Sequence, residues 1–151
     1  ASNQNFLLMA EALSYSEAKS NAENLGGKLA SIENATENSS IYSSITNLIS
    51  SHNLTLTTAS DGGGSKYVWL GASDGVTEGQ WLWDDSTSFT YTNWGSGSLG
   101  SEPDNFNNQD GLALGMENWP SGSADGSGFG NASFWNDVDL SNQLYSVVEL
   151  T

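Results

Sequence analysis

Apolar positions in the first third of the chain recur at helical spacing. Tyr15, Ala18, Ala22 and Leu25 fall on one helical face. Ser14, with Glu17 three residues on, has the spacing of a capping box, in which two side chains satisfy exposed backbone N–H groups reciprocally. Gly26-Gly27 then supplies a left-handed stop. A second helix is predicted over about 34–49, where Ile41, Ile45, Leu48 and Ile49 repeat. Ahead of them FLLMAEAL (6–13) reads as a first strand, or as a strand and a turn, and KLASI (28–32) as a short strand. LTTASDGGGSK (56–66) is a polar, Gly-rich loop. Beyond it strands alternate with turns: KYVWLGAS, GQWLWDD, SFTYTNW, GLALGM and YSVVEL. NWPSGSADGSGFGNAS (118–133) is too rich in Gly and Ser for regular structure. Helices first and strands afterwards give an α+β class.

Composition narrows the functions open to such a fold. At 151 residues the chain is read as a single domain, 1–151, and its 36% apolar content with six Trp supports a packed core despite a formal charge of −15. Three Lys and one His leave little to balance the acids, so nucleic acid and anionic lipid surfaces would repel the chain. A cation suits it. The absence of Cys closes disulfide, zinc-thiolate and thiol-nucleophile chemistry. It fits a reducing compartment, and equally a secreted protein stapled another way. No apolar run reaches the roughly 18 residues of a membrane span. The opening ASNQNFLLMAEAL has neither Met nor a signal-peptide pattern and reads as a piece of a longer protein.

The acids are clustered rather than spread. EPDNFNNQD (102–110) carries Glu102, Asp104 and Asp110 among side-chain amides; FWNDVDL (134–140) sets Asn136 beside Asp137; SDGVTEGQW (73–81) places Asp74 and Glu78 four apart in a Gly-bounded loop. Each stretch alone would pass as turn residues. All three together supply hard oxygen donors, which select calcium, or magnesium with fewer protein ligands, over softer metals. A bound divalent ion would reverse the local field and explain acids with no basic partner.

At these residues the chain resembles the C-type lectin-like domains, from about Tyr15 to Glu149. SYSEAKSNAENLGGKLASI resembles the family's first helix and following strand, VWLG (68–71) its core strand, EPDN its sugar-selecting Glu-Pro-Asn or Gln-Pro-Asp motif, and WND (135–137) its Trp-Asn-Asp tripeptide. The cysteine-free, Ser/Asn/Gly-rich character, with FTYTNW before the motif, is most similar to bacterial lectin modules in large calcium-dependent surface adhesins of the repeat-toxin kind. The resemblance implies two helices on antiparallel sheets with a long calcium-binding loop region. It places the family's disulfides at Ala22 with Val148 and Gly111 with Leu140, where this chain has no Cys.

It also implies site roles. A sugar-binding calcium would be held by Glu102, Asp104, Asn136 and Asp137, with Gln109 where the family usually has Glu; the peptide bond before Pro103 would be cis. An auxiliary calcium would take Asp74, Glu78, Asn105 and Asp110. The same five residues at the first site would hydrogen-bond sugar hydroxyls, with the Asn136 amide as the evident donor. Trp119, Trp94 or Phe106 would pack on a sugar face, Trp94 serving the core as readily. The expected partners are cell-surface glycans of fucose or mannose type, with no nucleic acid and no membrane insertion. The expected setting is extracellular, and the isolated module monomeric. The loop 118–133 would either shape the sugar site or stand as a tolerated insertion. A protein- or ice-binding module of the same fold is the alternative. Catalysis is not expected: there is a single His, His52 in a polar loop, no Cys, and no G-x-S-x-G nucleophile motif.

Overall fold

The computed structural model describes residues 5–105 and 108–150. Phe106, named above as a possible sugar platform, lies outside them. Strand β1 (Asn5–Leu13) leads into helix α1 (Tyr15–Asn24), strand β2 (Gly27–Leu29) and helix α2 (Ala35–His52). Then come β3 (Thr58–Ala59), a 3-10 turn at Ser60–Gly62, β4 (Ser65–Ser73), β5 (Leu82–Trp83), the paired β6 (Ser96–Gly97) and β7 (Gly100–Ser101), β8 (Gly111–Gly115), β9 (Trp135–Val138) and β10 (Leu144–Leu150).

Both helices start where the side chains can cap them. The Glu17 N–H donates to Ser14 Oγ at 3.4 Å and the Ser14 N–H to Glu17 Oε1 at 3.0 Å, closing the capping box. Asn34 caps α2 by accepting from the Glu37 N–H at 2.9 Å. Gly26 takes the left-handed φ of 87° that stops α1, and Asn53 (φ 54°) does the same for α2. The buried face of α1 is Tyr15, Ala18 and Ala22; Leu25, predicted to extend it, is 44% exposed. Helix α2 buries Ile41 and Ile45, while Leu48 is exposed. His52 closes that helix instead of sitting in a loop.

The main sheet runs β1-β10-β4-β8-β9, with β2 on β10 and with β3 and β5 on β4; the β10–β4 pair is parallel and the others are antiparallel. Its central strands are buried on both faces. Val68, Leu70 and Ala72 join Ile41, Ile45 and Trp135 in one core, while Tyr67 and Trp69 join Tyr15, Ala18 and Ala22 in another. Side chains alternate across a strand, so one helix covers each face. Ala22 and Val148 share the second core, and a Cβ on Gly111 would lie 3.0 Å from Leu140. Apolar packing stands where the resemblance placed disulfides.

SFTYTNW is not a strand. Its residues 88–93 have no ladder, and Trp94 makes only an isolated bridge to Trp135. The alternating aromatics pack instead on the Trp135 ring, with centroids 6.2 Å away for Phe89, 5.7 Å for Tyr91 and 5.8 Å for Trp94. The Trp135 indole N–H donates to Asn38 Oδ1 on α2 at 2.8 Å. Trp135 is thereby fixed from several sides, and the two polar residues after it are fixed with it. No helix among the described residues is long and apolar enough to cross a membrane.

Candidate metal centres and the cavity beside them

Asn136 and Asp137 are consecutive buried residues of β9. Asp137 has no exposed surface. Its Oδ1 accepts from the Asp104 N–H at 3.2 Å and its Oδ2 from the Asn105 N–H at 2.7 Å, which holds the EPDN loop against the sheet. The Glu102–Pro103 peptide bond is cis. Glu102, Asp104 and Asp137 each offer a carboxylate oxygen, all within 4.8 Å of one another. Asp74, Glu78 and Asp110 form a second group by the same measure. Asn105 (φ 50°) lines one cleft with Asp74, Glu78, Asp104 and Asp137, so the two groups are neighbours.

The electrostatics are those of crowded anions. Burial, partly offset by a hydrogen bond from Trp119 and reinforced by Asp104 and Asp137, pushes the Glu102 carboxyl up to about 9. Burial and the Asp104 charge raise Asp137, although the Asn105 and Asp104 N–H groups pull the other way. Asp74 and Asp110 are also raised, first by burial and then by their acidic neighbours, against the Gly79 N–H bonded to Asp74. Lys19 and Lys28 pair elsewhere, with Asp84 and Glu23.

Glu102 of the first group, and Asn136 and Gln109 beside it, are each held through one terminal atom. The Trp119 indole N–H donates to Glu102 Oε2 at 2.9 Å. Asn136 Nδ2 donates to the Tyr67 hydroxyl at 3.0 Å, and that hydroxyl donates to the Gly62 carbonyl at 2.7 Å. Gln109 Nε2 donates to the Asp61 backbone carbonyl at 2.8 Å and to Asp61 Oδ2 at 3.1 Å. The opposite oxygens, Glu102 Oε1, Gln109 Oε1 and Asn136 Oδ1, are buried with no hydrogen-bond donor. So are Asp74 Oδ1, Asn105 Oδ1 and Asp110 Oδ1 in the second group. An unsatisfied buried acceptor costs about 1–3 kcal/mol, so native structures rarely keep many. Here all six are hard oxygens on residues that belong to the two carboxylate groups or line the cavity and cleft beside them. That donor set fits a divalent cation of calcium type in each.

A cavity of about 270 Å³ adjoins the first group. Glu102, Gln109 and Asn136 line one side, the turn at 60–63 another, and Trp119, Pro120 and Phe129 the third. The loop 118–133 is therefore built into the site. Its backbone is tied by Trp119 N–H to the Gly130 carbonyl (3.0 Å), Phe129 N–H to the Trp119 carbonyl (2.9 Å), and Leu99 N–H to the Gly128 carbonyl (3.0 Å). Gly130 permits this, since a Cβ there would meet the Trp119 ring at 2.2 Å.

Trp119 itself corrects an expectation. It lines the cavity but is 2% exposed, with Gly95, Gly115 and Gly130 against its ring and its N–H on Glu102, so its main part is to orient that carboxylate rather than to stand as an open platform. Trp94, half-buried, makes a tilted contact with Trp81 and an edge contact with Trp135, and it also lines the cleft with Asp104 and Asp137. Phe129 and Pro120 are the apolar wall the sequence reading missed. The Asn136 amide, expected to donate to sugar, is directed at Tyr67. Asp61 and Tyr67 also escaped the sequence reading, because nothing in their immediate neighbours distinguishes a clamp from a turn or core residue.

The model of the family described as Lectin C-type domain matches residues 11–127. The chain belongs to the C-type lectin domain family. Among curated relatives of this lectin domain, the galactose-specific lectin nattectin of Thalassophryne nattereri is 39% identical over 72 residues, 48% of this chain and 37% of that protein. The alpha-N-acetylgalactosamine-specific lectin of Patiria pectinifera is 32% identical over 100 residues, 64% of this chain and 50% of that one. The match thus spans half or less of these relatives' lengths. Two solved structures share the fold: the cow CD23 carbohydrate-recognition domain, crystallised with a GlcNAc2Man3 oligosaccharide (TM-score 0.66, 19% identity, covering 99% of this chain and 88% of that one), and a calcium-independent type II antifreeze protein (TM-score 0.66, 20% identity, 99% and 87%). The lectin domain here has the family's α+β fold, with two helices on a mainly antiparallel sheet.

Proposed function

We propose that this lectin domain binds carbohydrate in a calcium-dependent way at the cavity between Glu102, Asn136 and the 118–133 loop. The observation that carries the reading is that the buried, donor-less oxygens of Glu102, Gln109 and Asn136 belong to residues lining one cavity with Asp104, while the Glu102 and Asp104 carboxylates group with that of Asp137. These five residues would hold the principal ion, and Asp74, Glu78, Asn105 and Asp110 a second. Calcium, when bound, supplies a centre that accepts two neighbouring sugar hydroxyls in its open positions. The chain's own contribution is to accept hydrogen bonds from those hydroxyls on Glu102 and Asp104, bonds strengthened by the acceptors' charge. Phe129 and Pro120 would pack on the C–H face, in place of Trp119. The Tyr67 phenol, held above its usual range by burial, stays protonated, donates to the Gly62 carbonyl and accepts from the Asn136 amide, which would keep the Asn136 oxygen turned toward the ion.

A fucose- or mannose-type glycan is the proposed ligand class, because Glu102 opens the sugar-selecting motif; the named specificities of the two relatives are of galactose type. The cysteine-free composition supports a place, as one module, in an extracellular bacterial adhesin, although the matched relatives come from animals. The antifreeze neighbour shares the fold and so keeps a protein- or ice-binding reading in play. The buried oxygen donors favour the lectin reading over catalysis, and the concave cavity beside them favours a small hydroxylated ligand over a flat ice face.

The domain is expected to be retained on immobilised fucose or mannose in calcium and released by chelator or free monosaccharide. Flow-through on fucose, mannose and galactose matrices alike, with calcium still raising the melting temperature, would favour the ice or protein reading. Asp104→Asn is expected to shift preference on a glycan array, since it changes an acceptor-only group into one that can also donate. An unchanged array would show that residue 104 does not select.

A further inference from the structure

The turn at Ser60–Gly62 supports both amide side chains beside the first group, holding Gln109 directly through Asp61 and Asn136 through the Tyr67 hydroxyl bonded to Gly62. Gln109 Nε2 meets two acceptors, the Asp61 carbonyl at 2.8 Å and Asp61 Oδ2 at 3.1 Å. Two acceptors on one side require the amide nitrogen there, which sends Oε1 the other way, into the cluster. Asp61 is itself fixed from behind. Its Oδ2 accepts from the Asp139 N–H at 2.7 Å, and its Oδ1 from Asn142 Nδ2 at 2.7 Å. The turn also cannot drift, because Gly62 receives the Tyr67 hydroxyl and a Cβ on it would meet the Tyr67 ring at 2.7 Å. Gln109 is 2% exposed, and its oxygen has no donor.

We propose that Asp61 is a positioning residue for the ion site: it aims the Gln109 carbonyl oxygen at the ion, and Asp61 with Gln109 together replace a single acidic ligand, the charge held one side chain behind the ligating atom. The proposal rests on the calcium reading above and adds a coupling to it. A carboxylate at 109 would turn its second oxygen onto the two Asp61 acceptors, so an acid there is unfavourable while Asp61 is present. An amide at 61 could donate to that carboxylate and relieve part of the conflict, although its nitrogen would then face the Asp139 N–H and the Asp61 backbone carbonyl would remain.

The test is calorimetric titration with calcium alone, on the full chain, for wild type, Asp61→Asn, Gln109→Glu and the double variant, each melted in chelator to check folding. Gln109→Glu is expected to bind calcium about tenfold more weakly than wild type despite its added charge, and Asp61→Asn about tenfold more weakly as well, the scale of one hydrogen bond to a charged group. The double variant is expected to bind more tightly than the sum of the two single losses allows, recovering part of the loss. A merely structural role for Asp61 would lower the melt in chelator and leave the two losses additive. Additive losses, affinities within twofold of wild type, or tighter binding by Gln109→Glu would overturn the proposal. The last needs only one folded variant. A wild type that binds no calcium would instead overturn the calcium reading itself.

Discussion

In excess chelator at about pH 7.5 the domain is expected to melt well below its temperature in calcium, and the gap is expected to close as the pH falls toward about 5. The sign follows from the raised carboxyls. Glu102, Asp137, Asp74 and Asp110 are all pushed above their usual range by burial and by one another. A group whose folded value lies above its unfolded value gives stability that is complete below about pH 4 and lost as the pH rises through the folded value. For Glu102 that window extends to about 9. Without an ion, the fold therefore weakens between acid and neutral pH. Asp85 and Asp139 run the other way: serine and backbone hydrogen bonds hold them low, against burial at Asp85, so their contribution fades only at more acid pH.

Calcium competes with these protons and binds best where they have left. At a hundredfold excess over its dissociation constant an ion adds about 2.7 kcal/mol, or about 5–10 °C for a domain of this size, for each site filled. Differential scanning fluorimetry across pH, with and without chelator, reads both effects. Equal melts in calcium and chelator, or a gap that widens toward acid, would contradict the two cation sites together.

Asp137→Asn is expected to lower calcium affinity about a hundredfold and to abolish sugar retention. Asp137 is fully buried, and both of its oxygens already accept backbone N–H groups, from Asp104 and Asn105. An amide must present its nitrogen to one of these donors, so a good bond becomes a donor facing a donor. The substitution also removes a charge from the ion and loosens the loop carrying Asp104. Loss of one charge-assisted bond together with a buried mismatch is worth about 3 kcal/mol. In chelator the melt should fall less than it does in calcium, because one of the mutually repelling acids has gone. Calorimetry giving an affinity within about threefold of wild type would remove Asp137 from the ion site.

The sequence disclosed most where local chemistry decides the outcome. Ser14 and Glu17 announce the start of α1, and the apolar runs around VWLG, GLALG and YSVVEL mark strands because both of their faces are buried. SFTYTNW misled for a definite reason: alternating aromatics report a packing period, and here the surface packed against is the Trp135 ring rather than a neighbouring strand. Strands of two residues, such as β3, β6 and β7, are too short to carry any period. The oxygen donors could be read from composition and resemblance. Their supports could not, because Asp61 reaches Gln109 across 48 positions and Tyr67 reaches Asn136 across 69, and neither supporting residue looks unusual where it stands. The fate of Trp119 was equally hidden, since a Trp beside a Gly-rich loop reads as a platform until Gly95, Gly115 and Gly130 are seen closing around its ring.

Strand β1 pairs antiparallel with β10, setting Asn5 opposite Leu150, at one edge of a sheet whose other edge is β9. Four strand spacings, about 19 Å, separate that edge from Asn136 and Asp137. Tension pulling residues 5 and 150 apart would peel this ladder open one hydrogen bond at a time. Load applied at those two residues would be met by the β1 seam before it reached the loops that carry Glu102 and Asp104, so that seam could open in part while the oxygen clusters stayed whole.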